Sequence, residues 1–419
     1  VMRDQVSMSH PYGVFVIPDL AEAAGILHKK SKLVFIADDP KLGAYRDVYK
    51  NTLASFEARA NKNIEDIDGF GSAKRAISTP DMIALLHEDN DNVVDEDDML
   101  RNRLFDMLVG DFDRHDDQWR WAEFECKKGK HDDCYHEKGK ATKGLTFRPI
   151  PRDRDQVFDN VDGLLARAAS LKFGPVRMLQ NYDYKIKDLV GLNINGRELD
   201  KTFLTRLSED DWVKIAEEVQ NSLTDKVIRD AFEIWPENIY AIGGEEIVEK
   251  LISRRNDIVK YAIEYYKILA KEVEIVGSNK TELFEIYRHE NGNTTVKIYK
   301  KYKHTEKALT YSRTFIKGET KQLFIYGLGG DDHFEIFGNA KSGAKIRLIG
   351  GEGNDLFNDI SSVKGASKRT SIYDVTTGTV VKPGKETKIQ TSDQDYQVNE
   401  YKRFRFKPNI VAPIVVLGF

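Results

Sequence analysis

Two short stretches carry the residues best suited to chemistry. They are Leu108-Val-Gly-Asp-Phe-Asp-Arg-His-Asp-Asp-Gln-Trp119 and Ile150-Pro-Arg-Asp-Arg-Asp-Gln-Val-Phe158. Phosphoryl transfer needs an Asp near the acceptor hydroxyl, an amide or carboxylate holding Mg²⁺, and a second carboxylate placing metal against the phosphates. Asp113 and Gln118 stand five positions apart, and Asp153 and Asp155 follow on the returning side of an expected hairpin. The competing reading of the same residues is a buried charged network. In that reading Asp113, Arg114, Arg152, Asp153, Arg154 and Asp155 pair as salt bridges that fasten the hairpin to a helix.

Other candidates weigh less. Gly110-Asp-Phe-Asp-Arg-His115 is one residue short of a metallophosphoesterase Gly-Asp-x-x-Asp-Arg, and no Asp-x-His or Gly-Asn-His supplies the remaining ligands of a two-metal site. The acidic run 88–98 lacks the central Gly and terminal Glu of an EF-hand, so it reads as acids at the start of a helix over 99–109. Gly350-Gly-Glu-Gly-Asn-Asp-Leu-Phe-Asn358 matches the calcium nonapeptide Gly-Gly-x-Gly-x-Asp-x-U-x, and Gly327-Leu-Gly-Gly-Asp-Asp-His-Phe334 matches it with Leu at the second Gly. Ca²⁺ at Asp332 and Asp355 is one expectation; glycines that only turn a corner are the other. The two aspartates are 23 apart rather than 9 or 18, which argues against the usual calcium ladder.

These residues need elements to hold them. The 419-residue chain is 40% hydrophobic and 32% charged, material for two or three domains. Its 64 Lys+Arg against 68 Asp+Glu leave no global basic field, so no nucleic-acid partner is expected. Residues 1 to about 110 read as mostly helical: a Pro-started helix over 18–25, a strand over 33–36 and helical spacing over 45–60. A hairpin follows, 118–125 with 145–150, joined by a Lys-rich loop. Residues 160–272 read as helical, including 212–223 and one long helix over 245–273. The pairs Tyr265-Tyr266 and Trp119/Trp121 suit core packing. After a break at 276–279 the pattern turns to β. There Tyr326, Ile349 and Tyr373 are spaced 23 and 24 apart, as successive coils of a β-solenoid would be; a β-meander is the alternative. The fold class expected is α+β. The expected domains are 1–273, 274–405 and, over 406–419, the start of a further segment of membrane-strand length.

Asp113-Arg-His-Asp-Asp-Gln118 resembles the Asp-Arg-His-x-x-Asn/Gln loop of phosphoinositide-kinase-like, HipA-like and secretory-pathway kinases. Pro151-Arg-Asp-Arg-Asp-Gln-Val-Phe158 is similar to the Pro-Trp-Asp-x-Asp-x-x-Phe element of CotH-type kinases, and the helix with Arg254-Arg255 resembles that fold's closing helix. The run from about 9 to 160 also resembles the middle region of large Bacteroidetes envelope proteins that join a metallophosphoesterase domain to a C-terminal surface-antigen β-barrel. The resemblance implies a kinase-like C-lobe with Asp113 as catalytic base and Arg114 and His115 ordering the loop. It implies Gln118, Asp153 and Asp155 on Mg²⁺ or Mn²⁺, ATP as nucleotide, and an unidentified phosphate acceptor. It places the protein in the cell envelope, on the outer membrane through a barrel. Gln in place of Asn at 118 departs from the pattern, and nothing in 1–112 resembles a glycine-rich loop followed by a strand Lys. In an envelope setting Cys126 and Cys134 read first as a disulfide, then as free thiols, then as zinc ligands with His131 and His136. The alternative to catalysis is a surface module linking the two neighbouring domains.

Overall fold

The computed structural model describes residues 8–125, 144–161, 176–301, 307–365, 367–393, 401 and 403. Cys126, Cys134 and the segment 406–419 lie outside them. The chain is α+β, with helices in the first part and strands dominating after Ala270. Among the described residues no helix is long and apolar enough to cross a membrane.

The first part is built around the helix Glu96–Val109. Asp95 caps it by accepting from the Asp98 amide, three acids occupy its first turn, and Gly110 ends it at φ +80°. Leu104, Phe105, Met107 and Leu108 are all buried, so this helix is a core element on every side. Helices Glu209–Ser222, Glu237–Asn256 and Ile258–Leu269 contact it. A four-stranded sheet ordered Ala76–Ile77, Trp119–Glu125, Leu145–Pro151, Val93–Val94 adds Trp119, Trp121 and Phe147 to the same core. The hairpin runs antiparallel from Trp119↔Pro151 to Glu125↔Leu145.

Three helix assignments need correction. The first helix is Gly13–Ala23 with Pro18 inside it; burial of Phe15, Val16, Ile17 and Leu20 outweighs the missing proline amide. The stretch 45–60 holds only the short helix Arg46–Tyr49, after which Asn51 takes φ 57° and Thr52–Glu57 pairs antiparallel with Ser31–Ile36. Here strand pairing overrides helical spacing. The long helix of 245–273 is instead two, broken at Asp257, and Glu272–Val276 is already a strand.

In the second part, strands stack in parallel, in two sheets. One runs Thr387–Ile389, Thr370–Tyr373, Lys345–Glu352, Gln322–Gly329, Glu272–Val276; the other includes Glu282–Arg288, His333–Phe337, Leu356–Asp359 and Val380–Lys382. Tyr326 faces Ile349, and Ile349 faces Tyr373. The sequence period is thus the register period. Phe284, Phe334 and Phe357 stack in line, centroids 4.4 and 4.6 Å apart. The antiparallel hairpin Thr294–Lys301 and Lys307–Phe315 extends the second sheet at its edge, beyond Glu282–Arg288. Leu328 sits at φ 77° opposite Gly351 at φ 115°, so the Leu in the imperfect glycine turn bears a strained backbone.

The two parts share a polar seam. Tyr311 donates to the Thr205 carbonyl at 2.9 Å, Asn90 donates to Glu282 at 2.9 Å, and Lys300 meets Asp91 at 2.5 Å.

Candidate functional site

The loop begins where the central helix must stop. At Gly110 an added Cβ would lie 2.9 Å from the Tyr182 ring, in a left-handed conformation. Asp111 then turns inward, accepting from the Asp113 amide at 3.2 Å and lying 3.5 Å from Arg114 Nε. Burial pushes its carboxyl up to about 7, with Arg114 pulling the other way.

Arg114 is the clip. Its buried guanidinium donates to the Asp113 carbonyl at 3.2 Å and to the Arg152 carbonyl at 2.7 Å, over the Trp119 ring. The Arg152 amide donates to the Gln118 carbonyl at 2.8 Å. One guanidinium therefore ties the loop before the hairpin to the segment after it. Gln118 Nε2 donates to Asp113 Oδ2 at 3.3 Å, while its Oε1 is buried without a partner among the described residues. His115 accepts from the Asp117 amide and caps the turn Asp116–Gln118, with Nε2 3.7 Å from Asp113 Oδ1.

Asp153 has φ 41° and a half-exposed side chain. Its carboxylate lies 3.5 Å from Lys29 Nζ and 3.8 Å from Arg152. Lys29 also contacts Glu57. Partial burial raises the Asp155 carboxyl, and the Asp153 and Asp113 charges add to it. The carboxylates before and after the hairpin thus lie close enough to feel one another. Arg154 does not face this group. It donates to Asp106 at 2.8 Å and stacks over Phe105, inside a network where Arg103 joins Asp106 at 2.8 Å and Asp200 at 2.7 Å.

Hard oxygen donors suit Mg²⁺, and the orphaned Gln118 Oε1 with the Asp153 and Asp155 carboxylates is a donor set of that kind. Among the described residues no group of three or more His, Cys, Asp and Glu side chains is arranged as a metal site.

Sequence reasoning missed Asp111, Asp159 and Lys29. Asp159 is buried, its carboxyl pushed up to about 7 by burial and by Asp111. Lys29 carried no motif, since its partners Glu57 and Asp153 are 28 and 124 positions away. Arg403 was also invisible: it grips Asp116 with both terminal nitrogens at 2.5 and 2.6 Å.

At the glycine turns, Asp332 and Asp355 lie one above the other. The register sets them in adjacent strands, because one turn of this chain is itself 23 residues long. The Asp332 amide donates to Asp355 at 2.8 Å, and the Glu282 amide donates to Asp332 at 2.8 Å. Asp355 and Asp374 both press on Gly350, whose added Cβ would meet their oxygens at 2.3 and 2.4 Å. Burial, then the neighbouring acid, raises Asp355 to about 7, and burial raises Asp374. The carboxyl oxygens in this stack turn toward backbone amides and toward each other.

Comparison of the chain with protein-family models, with curated proteins and with solved structures finds no match.

Proposed function

We propose that residues 8–270 form a kinase-like domain that transfers a nucleotide phosphoryl group. The observation that carries this reading is the Arg114 clip, which ties the Asp113–Gln118 loop to the backbone beside Asp153, whose carboxylate lies 3.5 Å from Lys29. A Lys held by a Glu and facing a metal-binding Asp is what a nucleotide's phosphates require. Lys29 with Glu57 and Asp153 has that composition. Gln118, Asp153 and Asp155 would hold Mg²⁺, which when bound neutralises charge on the phosphates. Asp113, about one-third exposed, is placed to take the acceptor hydroxyl's proton as that oxygen attacks the terminal phosphorus. The bond to the nucleoside diphosphate breaks in the same step.

The stacked strands after Ala270 support reading that part as solenoid-like, with Ca²⁺ at Asp332 and Asp355 as a further proposal. Placement in the cell envelope, anchored through a barrel, belongs to the same reading. One observation favours the non-catalytic alternative: Arg114 and Arg154 are buried and hold elements together, Arg114 at the Arg152 carbonyl and Arg154 at Asp106. The test is thermal unfolding of the full chain with ATP and Mg²⁺ or Mn²⁺. A ligand at 100 times its Kd adds about 2.7 kcal/mol. Stabilisation that disappears in Asp153→Ala supports phosphoryl transfer. No shift with either metal leaves the surface-module reading standing.

A further inference from the structure

A second feature lies on the far side of the hairpin's first strand, outside the carboxylate group. It is a cleft of about 570 Å³ lined by Arg59, Asn61, Lys62, Arg75, Ser78 and Arg120 among others. That volume falls in the range of small-molecule sites. Its charges are poorly balanced. Lys62 and Arg75 face each other in an antiparallel bridge, an arrangement that repels when both side chains carry the same charge. Arg75 is answered by Glu123 at 2.6 Å, and Asp81 is occupied with Ser78 at 2.6 Å. Only Glu123 is charge-paired, and the lining holds four cations, Arg59, Lys62, Arg75 and Arg120, against the two carboxylates of Asp81 and Glu123. Among the described residues Arg59 and Lys62 have no acidic partner, and Arg120 donates only to the Trp119 carbonyl. Burial, followed by the Arg152 and Arg59 charges, makes the charged form of Arg120 harder to hold than usual. Asp117 and Asp153 pull the other way on Arg120, but the cleft itself carries more cations than carboxylates.

We propose that this cleft binds a small polyphosphorylated molecule, its phosphates held by Arg59, Lys62 and Arg120. Guanidinium forks suit phosphate oxygens, and clustered cations lose their mutual repulsion when an anion enters. Ile77, Ala84 and Leu85 also line the cleft and give the organic part an apolar surface. Among the described residues none of the cleft's cations hydrogen-bonds to Asp113, Gln118 or Asp153, although Arg120 feels the Asp153 charge.

The experiment is calorimetric titration of the full chain, in EDTA, with sodium tripolyphosphate and with ATP, at 50 and 300 mM NaCl. The expected result is one saturable tripolyphosphate site that weakens at the higher salt. Binding should fall at least tenfold in Arg59→Ser/Lys62→Ser and in Arg120→Gln, and persist or tighten in Asp153→Ala, which removes an anion that Arg120 feels. Arg59 and Lys62 are exposed, so the double variant should melt as the wild type does. Equal affinity for the two probes means that phosphates alone are read. Tighter ATP binding means that the nucleoside also seats. Absence of saturable binding at 50 mM NaCl, or wild-type affinity in both variants, overturns the proposal. Loss of binding in Asp153→Ala also overturns it, because the ligand would then sit at the carboxylate group. Failure of phosphoryl transfer leaves this result untouched.

Discussion

The helical and β parts both bury carboxylates, and they solve the resulting problem differently. Beside the central helix the buried acids of the Arg103 network have guanidiniums: Asp106 has Arg103 and Arg154, and Asp200 has Arg103 with the Tyr265 hydroxyl at 2.7 Å. In the glycine turns, Asp355 and Asp374 have backbone amides and each other. The helical solution sets a cation against the buried acids of this network. The β solution depends on a proton. Helices supply positions three and four apart at which long arginines reach across a core. Stacked parallel strands put identical positions directly above one another, so an acid recurring at the turn must meet its own copy.

The sharpest way to break the helical solution is to remove its cation. Arg103→Ala leaves Asp200 and Asp106 buried with fewer partners. Uncovering one member of a buried pair costs about 3–5 kcal/mol. Urea unfolding should show that loss, and Arg103→Met should not recover it, since the missing element is charge rather than volume. Near-wild-type stability in Arg103→Ala would mean that water enters the network and the two regions do not differ in kind.

The β solution can be broken sterically. Gly350→Ala puts a methyl against two buried carboxyls at 2.3 and 2.4 Å. Neither Asp355 nor Asp374 has a free path to solvent, so the strands must part. Overpacking of this sort costs about 1–3 kcal/mol. Thermal melting should show it, and Asp374→Ser in the same chain should relieve part of it by vacating space.

The proton itself is tested by Asp355→Asn. The folded carboxyl titrates at about 7, above the ordinary carboxylate value of 3.8. The folded state therefore holds a proton that the unfolded chain releases. This contribution is complete below about pH 4 and fades as pH rises through 7, with a slope of at most about 1.4 kcal/mol per unit. An Asn keeps the acceptor for the Asp332 amide and donates in place of the shared proton. The variant should match wild type at pH 4.5 and exceed it by about 3 kcal/mol at pH 8. Identical pH profiles for the two proteins would show that Asp355 does not hold that proton.

How much of this was legible beforehand follows from the same difference. The β part repeats, so spacing in the sequence is spacing in the structure: Tyr326, Ile349 and Tyr373 fall in register because one coil is one period. Even there, the contact of Asp355 with Asp374 was hidden, since Asp374 comes from the end of a neighbouring strand and carries no glycine motif. In the helical part the hairpin and the Asp113–Gln118 loop were readable from local alternation and a five-residue interval. Lys29, Asp159 and Asp111 were not, because their roles come from tertiary packing between distant segments. The stretch 45–60 misled for the related reason that its partner strand lies fifteen or more residues upstream.

The smallest stability effect expected distinguishes a third regime, in which solvent shares the work. Lys29 touches Glu57 and, at 3.5 Å, the half-exposed Asp153. Water can replace the ammonium on that side, so the loss should resemble that of surface pairs, about 0–1 kcal/mol. Lys29→Met keeps the apolar stem and removes only the charge. Its melting midpoint should therefore stay near that of the wild type, while any stabilisation by ATP with Mg²⁺ should vanish, because the phosphates lose their cation. A large drop in stability would place Lys29 with Arg103, as part of the frame. Retained ATP stabilisation would separate Lys29 from the nucleotide and remove one of the supports for phosphoryl transfer. The useful contrast is between the two readouts in a single variant: a structural lysine moves both, and a lysine that waits for phosphate moves only one.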